Sequence, residues 1–191
     1  MLLRLSSWID RVSTGRVTLA ALALFLLFMI LVLPRQAASA QAAAGGAGSP
    51  DTSLLYTTQD LYRFAESYGE TGIQAYVQAR ITFDVVFPLV YGFFLVTALS
   101  WLYARSFRAV SRWQQANLVP LVAVLFDFLE NLATSLVMLR YPQPTPVVDS
   151  LAPAFTLVKW LLVSGSFALL LLGVLAGAAR LFGARAESIR R

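Results

Sequence analysis

Residues 118–140 read LVPLVAVLFDFLENLATSLVMLR, and this stretch decides the fold class. Apolar side chains dominate it from Leu118 to Leu139, close to the roughly 20 residues with which an α-helix crosses the hydrocarbon core of a bilayer. Only helices suit such a run in lipid, because every backbone polar group must pair within the segment. The stretch therefore predicts a transmembrane helix, and an unusual one, because it carries Asp127 and Glu130.

Three further apolar runs, at residues 17–34, 81–104 and 152–181, have the length of membrane spans. Hydrophobic residues make up 58% of the chain and charged residues 13%, whereas a soluble domain carries about 45–50% and about 25%. The short alternating strands of a membrane β-barrel are not visible in the sequence. We therefore predict an all-α membrane protein, built as a bundle of four transmembrane helices with spans at 17–34, 81–104, 118–139 and 152–181.

Residues 35–80, between the first two spans, combine a linker with an amphipathic helical segment. Ala, Gly and Ser dominate residues 36–53, which is typical of flexible linkers. Thr57 or Thr58 can cap a helix with Asp60 in its first turn, Gly69 can end it, and Thr71 can start a second helix leading into the next span. The pattern predicts an extracytoplasmic helical hairpin over the bundle mouth, or alternatively a segment whose tyrosines only anchor it at the lipid headgroups.

The arginines predict the orientation of the spans. One set of connecting segments carries ten of the fourteen arginines, and the other carries four, namely Arg35, Arg63, Arg80 and Arg140. The ten are Arg4, Arg11, Arg16, Arg105, Arg108, Arg112, Arg180, Arg185, Arg190 and Arg191. Because basic residues favour the cytoplasmic side, we predict a multi-pass protein of a prokaryotic cell membrane with both termini in the cytoplasm. The cytoplasmic parts are then residues 1–16, the loop 105–117 and the basic tail 182–191, with 140–151 as an outer loop.

The N-terminal region allows two further interpretations. Residues 1–13 place apolar side chains on one helical face, namely Leu2, Leu5, Trp8, Ile9 and Val12, with Arg4, Ser7 and Arg11 opposite. This pattern predicts a short interfacial helix on the inner leaflet; a frayed terminus is the alternative. The apolar run followed by Ala-Ser-Ala at 38–40 also resembles a secretory signal, and its cleavage would leave three spans. We favour an uncleaved first helix, because Pro34 and Arg35 interrupt the approach to that site.

Charged residues inside the spans are the strongest functional signal, since a charge at mid-membrane costs at least ~2.5–3.5 kcal/mol. Asp127, Glu130, Asn131 and Thr134 share one arc of their helix. Helical spacing likewise aligns residues of the second span and residues of the fourth span. In the second span a proline removes a backbone hydrogen bond and frees a carbonyl, and the fourth span holds the only lysine. These are Arg80, Asp84, Pro88 and Tyr91 in the second span, and Ala152, Thr156, Lys159, Ser166, Gly173 and Gly177 in the fourth.

At about 1.5 Å per residue, several of these side chains converge in the outer half of the membrane. We predict a ligand- or proton-binding pocket there, in which Lys159 pairs with Glu130 and Asp84 faces the entrance. Its candidate residues are Asp84, Tyr91, Asp127, Glu130, Asn131 and Lys159, with Arg80, Thr134, Thr156 and Ser166 as secondary candidates. Three acids facing one lysine would carry net negative charge, which a proton, a cation or a cationic group would neutralise.

Two functions remain open at this point. The first is a membrane protein that binds a lipid headgroup, a small ligand, or a proton or cation in this pocket. The second is a non-catalytic subunit or assembly factor of a membrane complex, in which the charged cluster only fixes helix packing. The chain has no Cys and no His, which excludes thiol chemistry, the usual zinc sites and histidine triads. We expect no cofactor or metal, no nucleic acid, and as partners membrane lipids and a membrane protein or a second copy.

Overall fold

The described chain is mostly helical. The computed structural model describes residues 2–50, 53–107 and 112–189, and within these ranges it contains no strand, so the all-α prediction is confirmed. The α-helices are α1 (Leu2–Val12), α2 (Gly15–Leu27), α3 (Leu33–Ala43), α4 (Thr58–Ile81), α5 (Phe83–Ser106), α6 (Val119–Arg140) and α7 (Val148–Ile189). A π-helical turn, Phe28–Val32, joins α2 to α3, and a 3₁₀ helix, Arg112–Leu118, precedes α6. Arg108, Arg190 and Arg191 lie outside the described residues.

Four helical stretches are long and apolar enough to cross a membrane, as the sequence predicts. They are Gly15–Ala43, Thr58–Ser106, Trp113–Arg140 and Val148–Arg180. α6 packs against α7, and α5 packs against α2, α6 and α7. The first stretch is the most peripheral, because its helix α2 has Ala21 as its only buried residue.

The first helix is longer than predicted. The sequence interpretation ended it at Pro34 and made residues 36–53 a linker, but the helix continues through α3 to Ala43. Pro34 lacks the N–H that would bond one turn back, and the π-helical turn immediately before it changes the bonding register at that point. The alanines that follow have high helix propensity. The prediction of a linker is therefore wrong for residues 36–43.

The segment before the second span begins as predicted. Thr57 caps α4 in a capping box: its hydroxyl accepts from the Asp60 N–H, and the Asp60 carboxylate accepts from the Thr57 N–H. Gly69 interrupts the helix with φ 61° and ψ −175°, a backbone conformation essentially restricted to glycine. α4 then ends at Ile81, and Thr82, with φ −113° and ψ −81°, separates it from α5. The expected continuous passage from Thr71 into the second span is therefore broken at Thr82.

Tertiary contacts sort the connecting segments into two ends of the molecule. At one end, α1 contacts the 3₁₀ helix and α5, and the Arg180 guanidinium donates to the Arg105 carbonyl. At the other end, the Thr58 hydroxyl donates to the Asp149 carbonyl at the start of α7. We call the first the arginine end and the second the linker end. The four stretches thus alternate in direction between the two ends.

Helix α1 contacts the protein through a face that the sequence interpretation placed differently. Ser6, Ile9 and Ser13 are buried, whereas Trp8 is 61% exposed and Val12 47%. The Asn117 amide donates to the Ser6 carbonyl, so polar contacts attach the helix. The predicted apolar face is therefore divided, with Ile9 turned inward and Trp8 and Val12 turned outward.

The glycines of α7 provide close contact with α5, as the predicted small-residue face requires. A Cβ added at Gly173 would lie 2.8 Å from the ring of Tyr103, and one at Gly177 would lie 3.3 Å from the Ser106 hydroxyl. The rest of the predicted α7 face is also buried, at Ala152, Thr156, Lys159 and Ser166.

Candidate functional site

A buried ion pair joins α6 to α7. Glu130 is fully buried and Lys159 is 6% exposed, and the Lys159 ammonium contacts Glu130 Oε2. The predicted pairing of these two residues is therefore present in the structure. Removing either partner of such a pair leaves an uncompensated charge in low dielectric, so each residue depends on the other.

The second oxygen of Glu130 leads towards the linker end. The Thr156 hydroxyl, which is fully buried, donates to Glu130 Oε1 at 2.8 Å. The Tyr56 hydroxyl lies 3.0 Å from Thr156 Oγ1. Thr156 Oγ1 also lies 3.1 Å from the Ala152 carbonyl. Because the Thr156 proton is directed to these two acceptors, Tyr56 donates to Thr156. Three residues from three segments thus form one hydrogen-bonded chain.

A second ion pair lies where α4 meets α5. Arg80 contacts Asp84 at 3.0 Å and donates to the Asn131 side-chain oxygen at 3.0 Å. The Arg80 guanidinium also lies 4.4 Å from the centre of the Tyr76 ring, a distance at which cation–π attraction contributes. Arg80, only 6% exposed, therefore belongs to the cluster itself rather than to an exposed outer loop.

Pro88 explains a further contact of Asn131. In a regular helix the Asp84 carbonyl would accept from the N–H four residues later, which is Pro88 and has none. The Asn131 amide nitrogen donates to this carbonyl instead, at 3.0 Å. The predicted free carbonyl near Asp84 thus exists, and α6 supplies its donor.

Asp127 is the carboxylate of the cluster that has no ion pair within the described chain. Its two oxygens accept from the Tyr91 hydroxyl at 2.9 Å and from the Asn131 amide at 3.3 Å. Asp127 is 8% exposed. Lys159, already paired with Glu130, also interacts electrostatically with Asp127.

The charge of the cluster follows from these pairs. Among the described residues, three carboxylates meet two cations, because Arg80 pairs with Asp84 and Lys159 pairs with Glu130. The sequence interpretation set three acids against one lysine and so overestimated the imbalance. With all five groups ionised, one negative charge remains, and Asp127 is the carboxylate without its own cation.

The structure brings together most of the predicted site residues. Contacts form two groups that share α6: one holds Arg80, Asp84, Tyr91, Asp127 and Asn131, and the other holds Glu130, Thr156 and Lys159. Thr134 and Ser166 are buried, but their hydroxyls donate to the backbone carbonyls of Glu130 and Leu162. These two hydroxyls therefore bond to the backbone of their own helices and do not contact the carboxylates. Within the residues that the structure describes, no group of three or more acidic side chains is arranged to hold a metal ion.

Two tyrosines of the cluster were not among the predicted site residues. Tyr76 precedes Arg80 by four residues, the spacing at which helical side chains meet, so its contact was available from the sequence. Tyr56 precedes α4 and reaches α7 across about a hundred residues of chain separation. No local pattern indicates that contact.

Comparisons with protein-family models, curated proteins and solved structures found no match to this chain. The site is therefore interpreted from its own residues.

Proposed function

We propose that this chain is a four-span integral membrane protein whose polar cluster takes up and releases a proton. In this proposal, the four apolar stretches form a bundle in the cell membrane, with residues 58–81 folded over its linker end. The arginine end lies in the cytoplasm. The segments that meet at that end are α1, the 3₁₀ helix, the end of α5 and the α7 region around Arg180. They carry Arg4, Arg11, Arg105, Arg112 and Arg180, which supports this orientation.

The observation that carries the proton proposal is the unpaired carboxylate of Asp127. Full ionisation of the cluster leaves one negative charge in a low-dielectric interior, which is strongly unfavourable. One proton on either Asp127 or Glu130 brings the net charge to zero, since Lys159 interacts with both carboxylates. The neutral cluster therefore holds one proton on a carboxylate, while Arg80 and Lys159 both remain charged.

The packing favours a proton over a lipid headgroup or a small organic ligand. Asp127, Glu130 and Asn131 are each at most 8% exposed and already bond to neighbouring side chains. A proton binds to a carboxylate without displacing those partners. A headgroup would have to separate them and break at least one buried hydrogen bond, which costs about 1–3 kcal/mol for each group left unpaired.

Infrared difference spectroscopy of the protein in bilayers, between roughly pH 4 and 9, tests the proposal. We expect the C=O stretch of one protonated carboxyl in the cluster. Asp127→Asn or Glu130→Gln should each abolish it, because either change makes the cluster neutral. The double variant Glu130→Gln/Lys159→Met keeps one excess negative charge and should keep the band.

The matched control is Asp149→Asn. Asp149 is also 8% exposed, but its carboxylate accepts from the Tyr62 hydroxyl at 3.0 Å, away from the five charged groups. Its replacement should leave the cluster band unchanged. A wild-type protein with no protonated carboxyl attributable to Asp127 or Glu130 would refute the proposal.

The second candidate function, a structural subunit of a membrane complex, is favoured by one observation. The polar groups of the cluster satisfy one another across α4, α5, α6 and α7, as a network that fixes helix register would. In that case Asp127 stays ionised across the pH range, and the spectra of wild type and Asp127→Asn show no cluster band that titrates. The same experiment thus distinguishes the two candidates.

A further inference from the structure

Tyr56 occupies the boundary between the outside of the protein and its buried cluster. It lies just before α4 and lines a groove of about 410 Å³ together with Ser53, Asp60, Arg63, Phe64 and Ser67. Arg63 in this groove is 71% exposed, whereas Thr156 and Glu130 are fully buried. One side chain therefore joins an open groove to the interior.

The hydrogen bonds from Tyr56 inward have the lengths that a proton path requires. Tyr56 Oη and Thr156 Oγ1 are 3.0 Å apart, and Thr156 Oγ1 and Glu130 Oε1 are 2.8 Å apart. Both distances lie in the normal range for hydroxyl donors or close to it. At these distances a proton can transfer between neighbouring oxygen atoms within hydrogen-bond reach.

We propose that Tyr56 and Thr156 form the entry path by which a proton reaches the cluster from the linker end. This inference rests on the proposed proton-binding function. The Thr156 hydroxyl proton moves to Glu130 Oε1, the Tyr56 hydroxyl proton moves to Thr156 Oγ1, and the Tyr56 oxygen takes a proton from a hydronium ion in the groove, which becomes water. Only O–H bonds break and form, and both hydroxyl groups are regenerated, so the net step carries one proton from solution to Glu130.

The charges around the path are consistent with this step. Protonated Glu130 carries no charge. The Lys159 ammonium then neutralises the Asp127 carboxylate, with which it already interacts. Desolvation raises the pKa of the Tyr56 hydroxyl, and the nearby Glu130 carboxylate raises it further, while the hydrogen bond with Thr156 lowers it. Tyr56 therefore remains a donor, and the transfer is a concerted handover rather than passage through a tyrosinate. The charged groups on the groove side are Asp60 and Arg63.

The test measures how fast the cluster carboxyl band responds to a pH jump in the full chain in bilayers. Tyr56→Phe and Thr156→Val each remove one hydroxyl from the path. Each should slow the response by about a hundredfold, within the range for removing a positioned proton-transfer group, and the rate rather than the size of the final band is the readout. Thr156→Ser keeps the hydroxyl and should restore the fast response.

Tyr62→Phe is the matched control. Tyr62 lies in the same segment but bonds to Asp149 and to the Thr145 N–H, so its loss should not slow the response. Equal rates in wild type, Tyr56→Phe and Thr156→Val would overturn the entry path while the proton site stands. If the wild type lacks the band altogether, the proposed function fails first. Should Tyr56→Phe not fold, the Thr156→Val and Thr156→Ser pair decides the question alone.

Discussion

The two ends of the molecule join neighbouring helices by different means. At the linker end, α4 to α7 meet through ion pairs and charged hydrogen bonds around Glu130 and Arg80. At the arginine end, the buried contacts between α5 and α7 are neutral, and the charged one, from the Arg180 guanidinium to the Arg105 carbonyl, is exposed. The Tyr103 hydroxyl donates to the Leu169 carbonyl at 2.9 Å, and the Tyr103 ring lies over Gly173.

This difference shows that buried charge is not needed to pack these helices. In the interior at the arginine end, close approach at Gly173 and neutral hydrogen bonds from the Tyr103 and Ser106 hydroxyls connect α5 to α7. The linker end instead places five charged groups in or near low dielectric, and desolvating them is expensive. Helix packing alone does not account for this desolvation free energy, which favours the proton-binding proposal over a purely structural network.

The largest expected effect comes from breaking the buried ion pair at the linker end. Lys159→Met leaves the Glu130 carboxylate fully buried and without its cation, so we expect a loss of about 3–5 kcal/mol in the free energy of unfolding. Glu130→Gln/Lys159→Met removes both charges and should recover most of that loss. Thermal unfolding in detergent compares the variants. If Lys159→Met is as stable as the wild type, the pair does not stabilise the fold.

A smaller effect is expected from the neutral contact at the arginine end. Gly173→Ala places a Cβ 2.8 Å from the ring of Tyr103, which is fixed by burial and by its hydrogen bond to Leu169. Overpacking of this kind costs about 1–3 kcal/mol. Gly165→Ala, on the same helix with no atom within 4 Å of the added Cβ, is the control and should be neutral or slightly stabilising. Equal unfolding temperatures for the two variants would contradict the close α5–α7 contact.

The fold and the centre of the site could be predicted because they depend on local patterns. Apolar length predicts the spans, and helical spacing puts Asp127, Glu130 and Asn131 on one face. The missing N–H of Pro88 predicts an unsatisfied carbonyl at Asp84. The pairing of the only lysine with Glu130 could be predicted only from the estimated depth of the two side chains in the membrane.

Most of the remaining features depend on tertiary contacts that no local pattern encodes. The exception is the end of the first helix, predicted at Pro34, where a local π-helical turn lets α3 continue to Ala43. Arg80 was counted among the loop arginines, although the break at Thr82 brings its side chain into the cluster. Tyr56 reaches Thr156 only because α4 and the segment before it fold against α7.

The smallest expected effect concerns Asp10, the acid beside the neutral contacts at the arginine end. Asp10 Oδ1 accepts from the Asn117 amide, which also donates to Ser100. Burial raises the Asp10 pKa above its ordinary 3.8, and the hydrogen bonds with Ser100 and Asn117 oppose that shift. An acid whose folded-state pKa is raised binds more protons when α1 is docked than when it is detached. Docking of α1 is therefore strongest below pH 3.8, weakens as the pH rises through the raised pKa, and is constant above it.

Asp10→Asn should remove this pH dependence and hold α1 slightly more tightly at neutral pH. The effect is small because Asp10 is only partly buried and solvent screens its charge. Hydrogen exchange of the α1 amides, corrected for the intrinsic pH dependence of exchange, measures it, with Ser7→Ala as the control because the Ser7 hydroxyl bonds only to the Arg4 carbonyl of its own helix. If Asp10→Asn leaves the pH dependence of α1 protection unchanged, another group controls docking. A marked response would instead show that this end, too, depends on a charge, and the contrast between the two ends would be one of degree.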